Sequence, residues 1–104
     1  MSSEKKKIRQ NFRDSVFRRD GHKCVFCERK DELDAHHITD RTEMPNGGYV
    51  KENGISLCPE HHMQAEKFHI SGGAVWHTGM HPNDLYIKIG SSKEKAIEAS
   101  NRLK

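Results

Sequence analysis

Three cysteines, one tryptophan and a hydrophobic content of 33% are the scarcities of this 104-residue chain. Three thiols cannot all pair, which argues against a disulfide framework. No apolar run approaches the roughly 18 residues that a membrane span needs. The opening Met-Ser-Ser-Glu-Lys-Lys-Lys lacks the apolar stretch of a signal peptide. The expectation is a soluble protein of a reducing cytoplasm, with no membrane partner. A mean hydropathy of −0.94 leaves little material for a core in a chain the size of one domain. Something besides burial has to stabilise it, and structural zinc, with an apparent binding free energy of roughly 10–16 kcal/mol in small metal-dependent folds, meets that need.

Charge is unevenly spread. The net charge is +3, yet residues 1–19 hold Lys5, Lys6, Lys7, Arg9, Arg13, Arg18 and Arg19 against Glu4 and Asp14, a local excess of five positive charges. Such a segment is either a solvated helix face or the footprint of a polyanion, most simply nucleic acid.

Periodicity predicts a helix over Glu4 to Arg19, with Ile8, Phe12 and Val16 as its apolar stripe and Asp20-Gly21 as its stop. Cys24 to Cys27 reads as a tight knuckle, and Leu33 to Thr39 as an extended segment. Pro45-Asn46-Gly47-Gly48 is the strongest turn signal, with strand-like pieces at Tyr49-Val50 and Ile55 to Leu57, suggesting a small antiparallel hairpin or loop. Pro59 to His69 reads as a helix stopped by Gly72-Gly73, followed by a loop over 71–83 in which Trp76 either stacks on a base or, as the favoured reading, plugs the small core. A short helix over Asn83 to Ile89 is expected to be capped by Asn83 or Asp84, and a last one to start at Ser91 in a capping box with Glu94. The organisation is a single unit over 1–104: a basic helix over 1–20, a knuckle and strand-turn-strand-helix core over 21–70, and a loop with C-terminal helices over 71–104.

Metal-type ligands recur at short spacing. Cys24-x-x-Cys27 is answered by Cys58-x-x-His61, two pairs that each supply two ligands from one knuckle or helix start, as tetrahedral zinc requires. The alternative is unrelated thiols and a surface histidine. His36, His37, Asn53 and His62 remain outside that set. Because neighbouring side chains on a helical turn diverge by about 100°, His61 and His62 belong to different sites.

The stretches Asp34-Ala35-His36-His37-Ile38, Glu52-Asn53-Gly54-Ile55-Ser56-Leu57-Cys58 and Pro59-Glu60-His61-His62 resemble the HNH endonucleases, the ββα-metal family, over about residues 17–69. The resemblance implies an α+β fold: a small zinc-stabilised ββα-metal domain with N-terminal and C-terminal flanking helices. It implies metal-dependent hydrolysis of phosphodiester bonds in DNA, by nicking or double-strand cleavage, leaving 5′-phosphate and 3′-hydroxyl ends. His37 stands at the first H, Asn53 at the N and His62 at the last H.

Phosphodiester hydrolysis needs a base on one side of phosphorus and a cation on the other. His37 is accordingly assigned as general base, with His36 and His62 as ligands of a catalytic divalent ion. Glu66, four residues after His62, is a third ligand or a solvated carboxylate. His69 extends the same stripe and is read as a solvated or helix-end residue. Asn53 either positions the loop bearing the base or binds the ion. Many relatives carry aspartate where this chain has His36, and cysteine where it has His61. The imidazole admits Mn2+, Ni2+, Co2+ or Zn2+ besides Mg2+ as the catalytic ion.

Arg41 is a candidate to hold the scissile phosphate, or else a surface partner of Asp40 or Glu43. Arg13, Arg18, Arg19, Lys5 and Lys7 are candidate backbone contacts, which position a duplex without reading its sequence. His22, His77 and His81 read as ordinary surface histidines. The expected partner is double-stranded DNA, bound by a monomer or homodimer. Small HNH proteins of mobile elements, phage packaging and defence loci suggest a larger complex as well. The rival readings are a nonenzymatic zinc-dependent nucleic-acid-binding module and an RNA-directed nuclease.

Overall fold

A computed structural model describes residues 2–103. Helix α1 (Ser2–Arg19) buries Phe12 and Val16, half-buries Ile8 and turns Lys5, Lys6, Lys7, Arg9, Arg13 and Arg18 outward. It closes where Gly21 takes a positive φ of 74° and His22 N–H donates to the Phe17 carbonyl at 2.8 Å. The chain then forms a knuckle fastened by Cys24 N–H to Arg29 O and Glu28 N–H to Cys24 O, at 2.8 and 2.9 Å.

Strands β1 (Asp34–His37) and β2 (Gly54–Leu57) pair antiparallel, with His36 opposite Ile55 and His37 opposite Gly54. All four residues of β2 are buried. Val25 N–H donates to Ser56 O at 3.1 Å, which ties the knuckle to this strand. Helix α2 (Pro59–Ile70) begins with proline in its first turn, where a missing N–H costs nothing. It ends as Gly73, at φ 87°, donates to Phe68 O. Together β1, β2 and α2 make the strand-strand-helix unit expected from the sequence.

The long connection between the strands differs from the expectation. Tyr49-Val50 is not a strand; the chain winds instead through 3-10 turns at Arg41–Glu43, Pro45–Gly48 and Lys51–Asn53. Asn46, Gly47 and Gly48 take φ of 53°, 81° and 67°, a succession of left-handed residues incompatible with extension.

Helices α3 (Pro82–Lys88) and α4 (Lys93–Asn101) complete the fold. Their caps lie one to three residues from the expected ones. His81 Nδ1 accepts from Asn83 N–H at 3.1 Å, and the Ser92 hydroxyl accepts from Lys95 N–H at 3.1 Å. Ser91 is drawn away because its hydroxyl donates to Glu52 O at 2.9 Å. The core gathers Ile38, Met44, Ile55, Leu57, Ala65, Met80, Leu85, Tyr86 and Ala96 around Cys24 and Cys58. Trp76 does not plug it: 46% exposed, it leans on Phe68 and His81 at the rim, while Met80 fills the interior.

Close packing of α1 on β2 is set by a missing side chain. A Cβ at Gly54 would lie 2.5 Å from Val16 Cγ2 and 2.7 Å from Phe12 Cε1. Gly54→Ala is expected to cost about 1–3 kcal/mol through overpacking. The check is a urea midpoint lowered at constant slope; an unchanged midpoint would mean that α1 does not seat on this strand.

Candidate metal centres

Two groups of donor side chains are brought together on α2. Cys24 and Cys27 come from the knuckle, Cys58 from the end of β2 and His61 from the first turn of α2. Cys27 Sγ lies 3.7 Å from Cys58 Sγ, and His61 Nδ1 lies 3.2 and 3.6 Å from Cys58 Sγ and Cys24 Sγ. Ligands about 2.3 Å (S) and 2.0–2.1 Å (N) from a tetrahedral zinc stand about 3.8 Å (S to S) and 3.6 Å (S to N) apart. The fit is close, and the thiols are free. Burial opposes ionisation of Cys24 and Cys58, yet backbone N–H groups around both draw their pKa values below the usual thiol range. Phe26 stacks on His61 at 5.5 Å. This Cys3His cluster can hold a structural metal ion, and its donor set suits zinc.

The second group is His36, His62 and Glu66. His36 is only 2% exposed, and its Nδ1 lies 2.9 Å from Glu66 Oε2 but out of line for a hydrogen bond. His62 Nε2 lies 3.4 Å from the same oxygen. Donors at about 2.1 Å from one cation are separated by about 3.0 Å in an octahedron and 3.4 Å in a tetrahedron. Glu66 Oε2 thus lies at ligand spacing from both imidazoles, the three donor atoms fall within 4.8 Å of one another, and both nitrogens of His36 have no hydrogen-bond partner. Burial lowers the pKa of His36, while the neighbouring imidazole holds the Glu66 carboxyl below its usual range.

The strand's alternation sends His37 the other way. Its ring stacks on Phe12 at 4.5 Å and meets Tyr49 edge to face at 4.7 Å, with Nε2 buried and unpartnered. Burial, reinforced by His36, pushes its pKa down to about 4, so the ring is neutral around pH 7. Even so, His37 and the three donors line one open cavity of about 280 Å3, together with Asp34, Arg41, Tyr49 and His69.

Asn53 lies outside that cavity and is fully buried. Its Oδ1 accepts from Thr39 N–H and Tyr86 O–H at 2.9 and 2.7 Å; its amide donates to the carbonyls of Thr39 and Gly48 at 3.0 and 3.2 Å. All four hydrogen-bonding positions are used, leaving none for an ion.

Among the cations, Arg41 is exposed at the cavity mouth and donates to Tyr49 Oη at 3.2 Å. Arg18, Lys5 and Lys7 are exposed on α1, and Arg13 reaches Asp34 Oδ1 at 3.7 Å. Arg19 departs from the expectation of a backbone contact: its guanidinium is engaged by Asp20 and by the carbonyls of Lys51 and Gly54, both at 2.6 Å. It fixes the end of α1 to β2.

Three residues at the cavity had no role assigned from sequence. Asp34 Oδ2 lies 3.2 Å from His62 Nδ1, and its place two residues before His36 on a strand was the available signal. His69, read as a solvated or helix-end residue, stands in the last turn of α2, meets the His37 carbonyl at 3.1 Å through Nε2 and stacks on His36. Tyr49 had no local signal, since its position depends on the turns before it.

Residues 24–71 match the model of a family described as HNH endonuclease. No curated protein and no solved structure matches the chain.

If the Cys3His cluster holds zinc that supports the fold, stripping the metal with a chelator abolishes the cooperative unfolding transition. Cys58→Ala does the same and loses the bound zinc, since about 10–16 kcal/mol of binding free energy is coupled to folding in such sites. Circular dichroism beside a metal assay checks both; a native melt from metal-free protein would remove the cluster from its structural role.

Proposed function

We propose, from the match of residues 24–71 to the HNH endonuclease family, that the chain is a metal-dependent endonuclease hydrolysing phosphodiester bonds in DNA. The observation that carries this reading is the shared cavity, which His37 lines together with His36, His62, Glu66 and Arg41. A base and a cation site on opposite sides of one space suit in-line attack on phosphorus.

His36, His62 and Glu66 would hold the divalent ion. That ion, when bound, supplies charge stabilisation to the phosphorane and the departing 3′-oxygen. His37, neutral at working pH, takes the proton from a water as its oxygen bonds to phosphorus and the bond to the 3′-oxygen breaks. The departing oxygen gains its proton from solvent, giving 5′-phosphate and 3′-hydroxyl ends. A base with a pKa near 4 is weak, but an anionic phosphate drawn into the cavity favours the protonated ring and raises that value. Phe12 and Tyr49 limit the ring's freedom on both sides. Arg41 orients the phosphate as a cation at the rim. Asn53 acts as a positioning residue, pinning Thr39 and Gly48 at the two ends of the loop that follows the base.

Asp34 supports the same site from outside. With its carboxylate on Nδ1 of His62, the imidazole carries its proton there and presents Nε2 towards Glu66, the carboxylate-histidine arrangement that orients metal ligands. His69 likewise fixes the carbonyl of His37. The exposed cations of α1 supply phosphate contacts.

Plasmid nicking with zinc-loaded protein and a panel of Mg2+, Mn2+, Ni2+, Co2+ and Zn2+ tests the reading. His37→Ala is expected to lower the cleavage rate by about 10²–10⁴-fold with DNA affinity retained. If no ion supports cleavage by folded, zinc-loaded protein, the nonenzymatic binding module takes its place; cleavage of RNA but not DNA in parallel reactions would favour the RNA-directed nuclease.

Asp34→Ala is expected to weaken binding of the activating ion by about 10–100-fold while structural zinc and the melting curve stay unchanged. A Co2+ titration followed by absorbance reads this directly. Unaltered Co2+ affinity would show that His62 needs no support from the strand.

A further inference from the structure

A second, larger recess of about 550 Å3 opens beside the cavity just described, between α1, the loop over 41–49 and Leu103. The two spaces share Arg41 and Tyr49. Lys5, Arg9 and Arg41 give this recess three cations against the single carboxylate of Glu4, while Ile8, Tyr49 and Leu103 supply an apolar lining. Its volume falls in the range of about 300–1,000 Å3 typical of sites that enclose an organic ligand.

The lining is built rather than incidental. Tyr49 packs over Gly47, where an added Cβ would lie 2.8 Å from Tyr49 Cε2, and it receives the Arg41 hydrogen bond at 3.2 Å. The Arg9 guanidinium carbon stands 5.7 Å above the Tyr49 ring centroid. A cationic rim around an aromatic and aliphatic floor is the chemistry that takes both the phosphate and the base of an unpaired nucleotide. A duplex, whose bases are stacked inside, would use the cations but not the apolar lining.

We infer that this recess binds an unpaired nucleotide of the DNA strand, next to the phosphate held at Arg41. The strand would run from the cavity past Tyr49 into the recess, with the neighbouring phosphate between Lys5 and Arg9 and the base against Ile8, Tyr49 and the Arg9 guanidinium plane. Frayed, nicked or flapped DNA would be preferred over uninterrupted duplex. The inference rests on the nuclease reading for its choice of DNA, but binding can be measured without cleavage.

Fluorescence anisotropy tests it on zinc-loaded full-length protein, with no other divalent ion added and the salt concentration fixed, because phosphate contacts alone make affinity depend on salt. The probes are a labelled single-stranded DNA oligonucleotide and the blunt duplex of the same sequence. Ile8→Gln is expected to weaken single-strand binding by about 5–100-fold, the range for losing one stacked base, and to change duplex binding by far less, while Arg9→Ala weakens both probes and the single strand more, since there it loses a stacking partner as well as a phosphate contact. Trimming the oligonucleotide from one end should abolish the difference between wild type and variants, and trimming from the other should preserve it.

Equal losses on both probes would reduce the recess to a general phosphate contact and overturn the inference. So would unchanged affinity in both variants, with melting curves confirming that they fold. Failure of cleavage alone would leave the strand preference standing, so the two readings fail separately.

Discussion

The clamp of Cys24, Cys27, Cys58 and His61 is the constraint on which the remaining structure depends. Two of its thiols sit inside the hydrophobic core itself, so the cluster is part of the packing as well as a place able to hold a metal ion. It joins the turn after α1 to the end of β2 and the start of α2. In a chain one third hydrophobic, that junction replaces burial a larger domain would have. It also fixes the direction in which α2 leaves the sheet, and with it the positions of His62, Glu66 and His69.

Two periodicities meet at this point. On α2, His61 and His62 diverge by about 100°, so the first turns to the clamp and the second to the cavity. Glu66 and His69 then follow His62 along one face at helical spacing. On β1 the period is two: Asp34 and His36 turn to α2, while His37 turns to α1. One short helix crossing one short strand therefore gathers His62, Glu66, Asp34 and His36 on one side. His37 remains on the other, held by Phe12 and Tyr49.

Legibility in the sequence followed the range of the interactions. The ββα order, the helices α1 and α2 and the Cys3His cluster rest on local spacing and turn chemistry, and were readable from residues such as Cys24, Cys27 and Pro59. His36, His62 and Glu66 were readable because their spacing defines a face. Arg19 was misread because its partners, Lys51 O and Gly54 O, lie more than thirty residues away. Trp76 was misread because composition does not tell which of Trp76 and Met80 turns inward. The extended reading of Tyr49-Val50 failed because a succession of positive φ angles overrides the strand propensity of two residues.

Two buried polar clusters flank the strand, and they differ in one respect that bears on function. Around Asn53 every donor and acceptor is matched, and Thr39, Gly48 and Tyr86 are locked with it. Around His36 and His37, three ring nitrogens are buried without hydrogen bonds. A buried polar group left unpaired costs about 1–3 kcal/mol, a large fraction of a small domain's stability. A sequence selected for stability alone would place apolar side chains at His36 and His37. Their presence in so small a core fits the cation and base roles proposed for them, whereas the saturated Asn53 network is complete without a ligand.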